Sequence, residues 1–443
     1  MKVLLVAHRF PPDDLGGVER HVETVARGLR EAGHDVRVLA LREGARGLDA
    51  TLRAEEHVDG TPVTRLVTGP RSHDRHLYGA AESRLLLERV LVEERPDVVH
   101  VHQVLFLDPR LPDTARRLGA AVVVTLHDYY FACPLLHLRQ ADGSDCDGPR
   151  GGLECASACF APEGPGAVAR WTLRASYYRR LLETADLVLA PSHYVADRME
   201  ELMALPVAPL SHGLQRPADP RERYATPDER GRLVLAVCGT IVPHKGIDVL
   251  VGALIELGPA FGPVELRIAG AVGSHVYADH LRDALGGMDW VDARFLGPYA
   301  PDDLDWILED VDALVVPSVW AETFSLVARE ALLRGVPAIV SDRGAPSEAI
   351  VDGENGLVVS TDGIAGVVDA LRRLRREPDL LPRLRAGARA TQVPTVEDHV
   401  AGLTAQYAEA LRRRSAAPVP SSAQADELDA LEAAQVALGF AAG

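Results

Sequence analysis

The chain has no run of 18 or more consecutive apolar residues, so no segment reads as a membrane-spanning helix. It also lacks an excess of positive charge. Against 47 Lys and Arg stand 64 Asp and Glu, a formal net charge of −17, and a nucleic-acid-binding surface would need clustered basic residues to neutralise phosphates. A local basic pocket on an acidic whole still leaves an anionic small substrate open. The opening apolar stretch, residues 1–7, is too short for a secretory leader, which makes the cytoplasm the expected compartment. Cysteines number five in 443 residues, and none is spaced as Cys-x-x-Cys. What is present is the composition of an ordinary globular protein, 47% hydrophobic and 25% charged, in a chain long enough for about two to three domains.

Apolar periodicity alternates between strand and helix. Residues 2–7 read as a buried strand, 18–32 as a helix ending at Gly33, and 35–40 as a second strand; further short aliphatic runs lie at 97–102, 121–125 and 186–190. This βαβ rhythm predicts a parallel sheet covered by helices, a Rossmann-like domain over residues 1–210. A second series, with strands at 233–238, 265–269, 293–296, 313–316 and 338–341 and helices at 246–257 and 301–309, predicts a similar domain over 233–394. Residues 211–232, rich in Pro, Arg and Asp, read as the linker. Two such domains facing one another would leave a cleft at the carboxyl ends of their strands.

The residues with chemical potential fall at those ends. After the first strand comes His8-Arg-Phe-Pro-Pro-Asp-Asp-Leu-Gly16-Gly17-Val-Glu-Arg20, where paired glycines before a helix let backbone approach a phosphate. The corresponding place in the second half is Gly239-Thr240-Ile-Val-Pro-His244-Lys245-Gly246, whose lysine can meet a diphosphate as a point charge. The most informative stretch is Glu322-Thr323-Phe324-Ser325-Leu326-Val-Ala-Arg-Glu330. It sets one carboxylate in a loop at a helix entrance and a second about two turns along, with amides between them able to receive an anion.

In their order these motifs, together with Thr125-Leu-His127-Asp128 and His212-Gly213, resemble the GT-B retaining glycosyltransferases of family 4, over about residues 1 to 410. The resemblance implies a GT-B fold, α/β with two Rossmann-like doubly wound domains facing an interdomain cleft. It implies transfer of a sugar from a nucleotide-diphosphate sugar (UDP-, GDP-, ADP- or dTDP-linked) to a hydroxyl of a polysaccharide, lipid-linked glycan or natural product, without a catalytic metal. By the same resemblance Glu322 holds donor-sugar hydroxyls, the amides of Thr323, Phe324 and Ser325 bind the donor phosphates, and Glu330 accepts from the ribose. Lys245 neutralises the leaving diphosphate, Gly17 approaches it from the other domain, and His127 lies beside the sugar and the reacting carbon. Gly16, Thr240 and Leu326 complete the implied donor contacts. Leaving group and acceptor share one face, so the resemblance implies retention of configuration.

The chain departs from the family pattern at Thr240, where an arginine is usual; the lost guanidinium weakens the diphosphate clamp unless His244 or Arg9 compensates. Two alternatives therefore accompany the transferase reading, a non-catalytic or weakly active nucleotide-sugar-binding relative and a GT-B nucleotide-sugar epimerase.

A further feature is the group Cys133, Cys146, Cys155 and Cys159, in a segment dense in Gly, Asp and Pro. Four thiolates in a loop with little core of its own suit a tetrahedral structural zinc; free or redox-active thiols and two disulfides are the alternatives. In a glycosyltransferase this loop would line the acceptor side. Cys238 reads as a small buried hydrophobe. His100 and His102 share one face of a strand and read as a hydrogen-bonded core pair, Arg71, His73, Arg75 and His76 as a solvated loop, and Tyr129, Tyr130, Tyr177 and Tyr178 as packing residues. Residues 396–414 are expected to form a helix crossing back to the first domain, followed by a Pro/Ser/Ala linker and a tail helix carrying Leu428, Leu431, Val436 and Leu438. Peripheral membrane contact and homo-oligomerisation are left open.

Overall fold

The structure, a computed structural model, describes residues 1–12, 16–44, 51–69, 81–105, 107–217, 230–416 and 422–437. The stretch with Arg71, His73, Arg75 and His76, residues 218–229 of the expected linker, and Leu438 lie outside these. The chain divides into two compact units, Met1–Gly213 with Val396–Gly443, and Leu214–Thr395.

In the first unit, strands β1 (Lys2–Ala7), β2 (Asp35–Glu43), β3 (Thr51–Val58), β4 (Thr61–Thr68), β5 (Val98–Val101), β6 (Ala121–Thr125), β7 (Leu187–Ala190) and β8 (Ala208–Pro209) form one sheet in the order β3-β4-β2-β1-β5-β6-β7-β8. All pairings are parallel except β3 with β4. Strands covered on both faces have no polar side to present, which is why β5, β6 and β7 are short, wholly buried runs. The helix Gly17–Glu31 buries Val22, Val25, Ala26 and Leu29, spaced as one helical face, and ends before Gly33 in the left-handed region at φ 84°.

The second unit carries β9 (Leu233–Cys238), β10 (Val264–Ala269), β11 (Val291–Gly297), β12 (Ala313–Val316), β13 (Ala338–Ser341) and β14 (Gly356–Val359), all parallel, in the order β11-β10-β9-β12-β13-β14. This is the same winding as β4-β2-β1-β5-β6-β7, so both units are doubly wound α/β folds. In each, the order reverses beside the first strand. The loops after β9 and β12 therefore emerge on either side of a switch point, where open α/β sheets place their ligands.

Three details differ from the sequence expectations. The β3–β4 hairpin was not foreseen, although Asp59-Gly60, at φ 46° and 72°, is a strong turn signal. Residues 301–309 hold a 3-10 turn, Pro301–Asp303, and a single helical turn, Leu304–Ile307, because Asp303 turns back to accept from the Ala300 amide at 2.7 Å. The linker is also packed where it begins: His212 and Leu214 are 4% and 7% exposed, and the Leu214 amide donates to the Pro394 carbonyl at 2.9 Å. Leu214 belongs to the second unit's core, alongside Val234, Leu314 and Val336.

The helix Val396–Ala416 belongs to the first unit and inserts Val400, Leu403, Tyr407 and Ala410 into its core with Val3, Leu5 and Val38. Gly28 faces it across a gap so tight that a Cβ would lie 2.7 Å from Val400. The tail helix, Ser422–Ala437, packs on the first unit through buried Leu428 and ion pairs of Glu427 with Arg180 and Glu432 with Arg84, both at 2.6 Å.

Candidate functional site

The second unit assembles its polar residues at the ends of β9 and β12. β9 runs into Gly239-Thr240 and then a 3-10 turn, Pro243–Lys245. Gly246 follows at φ 65°, pressed so closely on the Pro317 carbonyl that a side chain would collide with it. That contact explains the Lys-Gly pair: glycine lets the turn lie against the β12 loop, which brings Lys245 over to Glu322. Lys245 Nζ lies 2.7 Å from Glu322 Oε1 and 5.7 Å from the Trp320 ring centroid, and Ser318 Oγ donates to the same carboxylate oxygen. Lys245 is one of only two lysines in a chain that otherwise uses arginine. Its position therefore calls for a compact ammonium where a guanidinium would be the commoner residue.

Glu322 is 3% exposed. Burial would raise its carboxyl, but Lys245, Ser318 and His244 outweigh that, and the group is held below the ordinary carboxylate value. Gly344, at φ 81°, pairs with Glu322 as an isolated bridge and leaves no room for a side chain against its backbone, while the Ala345 amide donates to the Glu322 carbonyl at 2.8 Å. The loop is thus clamped from β9 on one side and from the loop after β13 on the other.

Ser325 caps the helix Leu326–Leu333 from the left-handed region, φ 60° and ψ 79°, a conformation that costs a non-glycine residue energy. Its hydroxyl is buried with no hydrogen-bond partner among the described residues. An orphaned hydroxyl at a helix N-terminus, where amides also point outward, is unusual and suits an anionic ligand. Glu330 lies on this helix, half-buried. Sequence reasoning missed Arg329, which is 6% exposed, donates to the Phe324 carbonyl and lies 3.8 Å from the Phe324 ring centroid. Burial lowers its guanidinium to about 10. An arginine inside an otherwise apolar helix start was the available signal. Thr240 is exposed beside Gly273, and His244 stands 5.6 Å from Trp320, in this same group.

The first unit holds the other expected residues. Gly16 and Gly17 open the helix Gly17–Glu31, and the Glu19 carboxylate occupies the space a Cβ on Gly16 would take. Glu19 Oε1 lies 3.2 Å from His8 Nε2. At the end of β6, His127 sits in a nest of buried imidazoles. His102 Nδ1 is 2.9 Å from His127 Nε2, the rings of His21 and His212 are 3.7 Å apart, and ligand-capable atoms of His21, His127 and His212 lie within 4.8 Å of one another. His399 adds a ring 5.1 Å from His21 and hydrogen-bonds the Ser211 carbonyl.

Burial, then the neighbouring imidazoles, depress these groups: His127 falls to about 3, and His21, His100 and His102 fall well below the free value. A nest of neutral imidazoles can accept or donate hydrogen bonds to hydroxyls and can ligate a metal. His100, bonded to Tyr407 and Thr125, is the core residue the sequence suggested, whereas His102 contacts the functional candidate directly. Asp128 accepts from Gln103 and the Tyr130 amide and is raised to about 6 by burial, which those hydrogen bonds only partly offset. Neither His21 nor His399 was foreseen, because only the fold brings four separate segments to one point.

The four cysteines follow His127 in the loop leading to the helix Ala167–Glu183. All are unpaired, and they surround one small cavity. Among the described residues it is the histidine trio that meets the 4.8 Å spacing, so the sulfurs stand wider apart than ligands closed on an ion.

Two doubly wound α/β units are the GT-B architecture, and solved structures agree. Sucrose-phosphate synthase from Thermosynechococcus elongatus superposes with a TM-score of 0.66 at 18% identity over 92% of this chain and 98% of its own. Anabaena HepE in complex with UDP and glucose gives 0.63 at 16%, over 92% and 99%. Residues 15–211 match the family model described as Glycosyltransferase Family 4 and residues 220–391 that described as Glycosyl transferases group 1, and the chain belongs to this glycosyltransferase family. Similar curated proteins include the glycogen synthase of Mycobacterium tuberculosis, 26% identical over 95% of this chain and 97% of that protein. The D-inositol 3-phosphate glycosyltransferase of Actinosynnema mirum is 29% identical over 85% and 87%. No helix among the described residues is long and apolar enough to cross a membrane.

Proposed function

We propose that the protein is a retaining glycosyltransferase that moves a sugar from a nucleotide-diphosphate sugar to an acceptor hydroxyl. The observation that carries this reading is the 2.7 Å Lys245–Glu322 pair beside the unsatisfied Ser325 hydroxyl at a helix entrance. Breaking a glycosyl–phosphate bond builds negative charge on the diphosphate and positive character on the ring, and preorganised groups aimed at those charges are often the largest catalytic contribution.

Lys245, with the amides of Thr323, Phe324, Ser325 and Leu326, meets the first charge, while Glu322 binds the sugar hydroxyls and favours the second. Glu330 accepts from the ribose, Gly16 and Gly17 present backbone to the donor, and Thr240 flanks the diphosphate without adding charge. His127, neutral at physiological pH, hydrogen-bonds the sugar near the reacting carbon. A cationic side chain and a helix N-terminus serve the leaving group, so the chemistry calls for no catalytic metal. Solved relatives bound to UDP-glucose, and to ADP and acarbose, support a nucleotide-sugar donor.

The test is to incubate the protein with UDP-, GDP-, ADP- and dTDP-sugars and follow nucleotide release with and without candidate acceptors, reading product configuration by NMR. Release that depends on an acceptor, with configuration retained, is expected. An inverted product would overturn the retaining mechanism. Donor binding without turnover would point to a binding protein, and acceptor-independent sugar conversion to an epimerase.

A further inference from the structure

The loop between His127-Asp128 and the helix Ala167–Glu183 is organised around sulfur. It contains little regular structure, only a 3-10 turn at Arg150–Gly152, a π-type turn at Cys155–Cys159 and another 3-10 turn at Ala161–Gly166. Its own apolar core is a handful of residues, Cys155, Ala156, Ala167 and Trp171 with Phe160 stacked on Trp171. Leu136, Leu138 and Arg150 all stand in the left-handed region, at φ 72°, 51° and 45°, which is costly for residues with a Cβ. Residues 129–133 and Leu138 are buried, so it is the stretch beyond Leu138 that has little apolar support and needs another source of order.

Cys133, Cys146, Cys155 and Cys159, separated by 13, 9 and 4 positions, come together around a cavity of about 10 Å³ lined otherwise by Leu135, Leu138 and a few neighbours. Backbone amides also approach the sulfurs. The Gly148 amide donates to Cys146 Sγ at 3.4 Å, the amides of Leu135 and Leu138 donate to the Cys133 sulfur, and the Ala141 amide donates to that of Cys159. Amide donors aimed at a cysteine sulfur favour its thiolate, the form that binds metal. Burial outweighs those donors, so the Cys133, Cys155 and Cys159 thiols all lie above the ordinary value.

We propose that Cys133, Cys146, Cys155 and Cys159 bind a single zinc ion as a tetrathiolate, and that this ion fixes the loop following the His127-Asp128 strand end. Soft thiolate ligands select zinc or an iron–sulfur cluster, and four cysteines gathered in a loop with little apolar core of its own are the ligand set of a structural zinc. Binding displaces four thiol protons and draws the sulfurs inward from their present wider spacing. The ion stands apart from bond breaking. Its role is to hold a loop whose Tyr130 carbonyl is already bonded to buried Arg174 at 2.6 Å and whose Tyr129 amide reaches back to Leu136 at 3.2 Å.

The full chain, purified without chelator in a non-chelating reductant, is analysed for metals, and its thiols are then titrated with a mercurial. The expected result is about one zinc per chain, released as four thiols react. Exchange with cobalt should give thiolate-to-metal charge-transfer absorption. Cys155→Ser should lose most of the zinc, whereas Cys238→Ser, on β9, should keep it. Hydrogen exchange after metal removal should rise across residues 129–166. Cobalt bound without sulfur charge transfer would place the ion on the histidine nest and overturn the proposal. So would iron with acid-labile sulfide, two disulfides, or a metal-free protein with four freely titratable thiols. All of these are read without any sugar donor, so they stand or fall separately from the transferase reading.

Discussion

The two units share one winding and use it oppositely. In the second unit the strand ends gather charge, a lysine ammonium against a buried carboxylate and a helix entrance with an orphaned hydroxyl. In the first unit they gather neutral imidazoles, sealed so well that His127 falls to about 3. A charged site is suited to gripping a charged ligand, and a neutral, hydrogen-bonding one to contacting sugar hydroxyls without competing for the phosphates. One architecture thus supports two electrostatic regimes, because topology fixes only where the loops emerge and the loop residues decide what they present.

The comparison breaks most sharply at the ion pair. Lys245→Ala leaves the buried Glu322 carboxylate without its cation, with Ser318 still donating to it, and should lower transfer by about a hundredfold or more and the second unit's stability by ~3 kcal/mol. Glu322→Gln should lose comparable activity while the protein stays folded, as read by steady-state rates and circular dichroism. Near-normal rates in both variants would remove the site assignment.

Gly246→Ala comes next. A methyl group forced on the Pro317 carbonyl at a positive φ should cost about 2–4 kcal/mol in chemical denaturation. An unchanged midpoint would mean that the close approach of the two loops is not required. In the first unit, His102→Leu removes the partner of His127 Nε2 and should slow transfer roughly tenfold to a hundredfold with donor binding retained. Because His102 acts through His127, the acidic limb of the rate–pH profile should shift as well. A uniform loss of rate with an unmoved profile would make His102 merely structural.

The mildest test is acid. The depressed histidines all lie in the first unit, and the unfolded chain binds protons better than the folded one once pH falls below about 6.5. Their stabilising contribution is complete above that pH and is lost as pH falls toward the folded values. Glu322 behaves similarly lower down, through its own depressed value. Asp128, raised to about 6, acts in the opposite direction between ~4 and 6. Thermal melts should hold steady at neutral pH and decline through mild acid, with hydrogen exchange rising first in the first unit. Earlier loss of the second unit would contradict this.

Much of the fold was legible because buried parallel strands are written as uninterrupted aliphatic runs, as in residues 2–7 and 313–316. The hairpin Thr51–Val58 with Thr61–Thr68 was less so: it lies at the sheet's edge, where half-polar strands resemble loops. At the site, Glu322, Lys245 and Gly246 could be read from a carboxylate at a helix entrance and a Lys-Gly turn. Arg329 and the Ser318 hydrogen bond could not, since their partners depend on how the Glu322 loop coils.

By itself, then, the sequence determined the alternation of elements, the doubling of the fold and the loops that carry chemistry, because periodicity and turn residues act over a few neighbours. Tertiary structure decided that His21, His102, His127, His212 and His399 form one nest of imidazoles and that Leu214 is core. Burial and mutual proximity set those properties, and both arise between residues far apart in the chain.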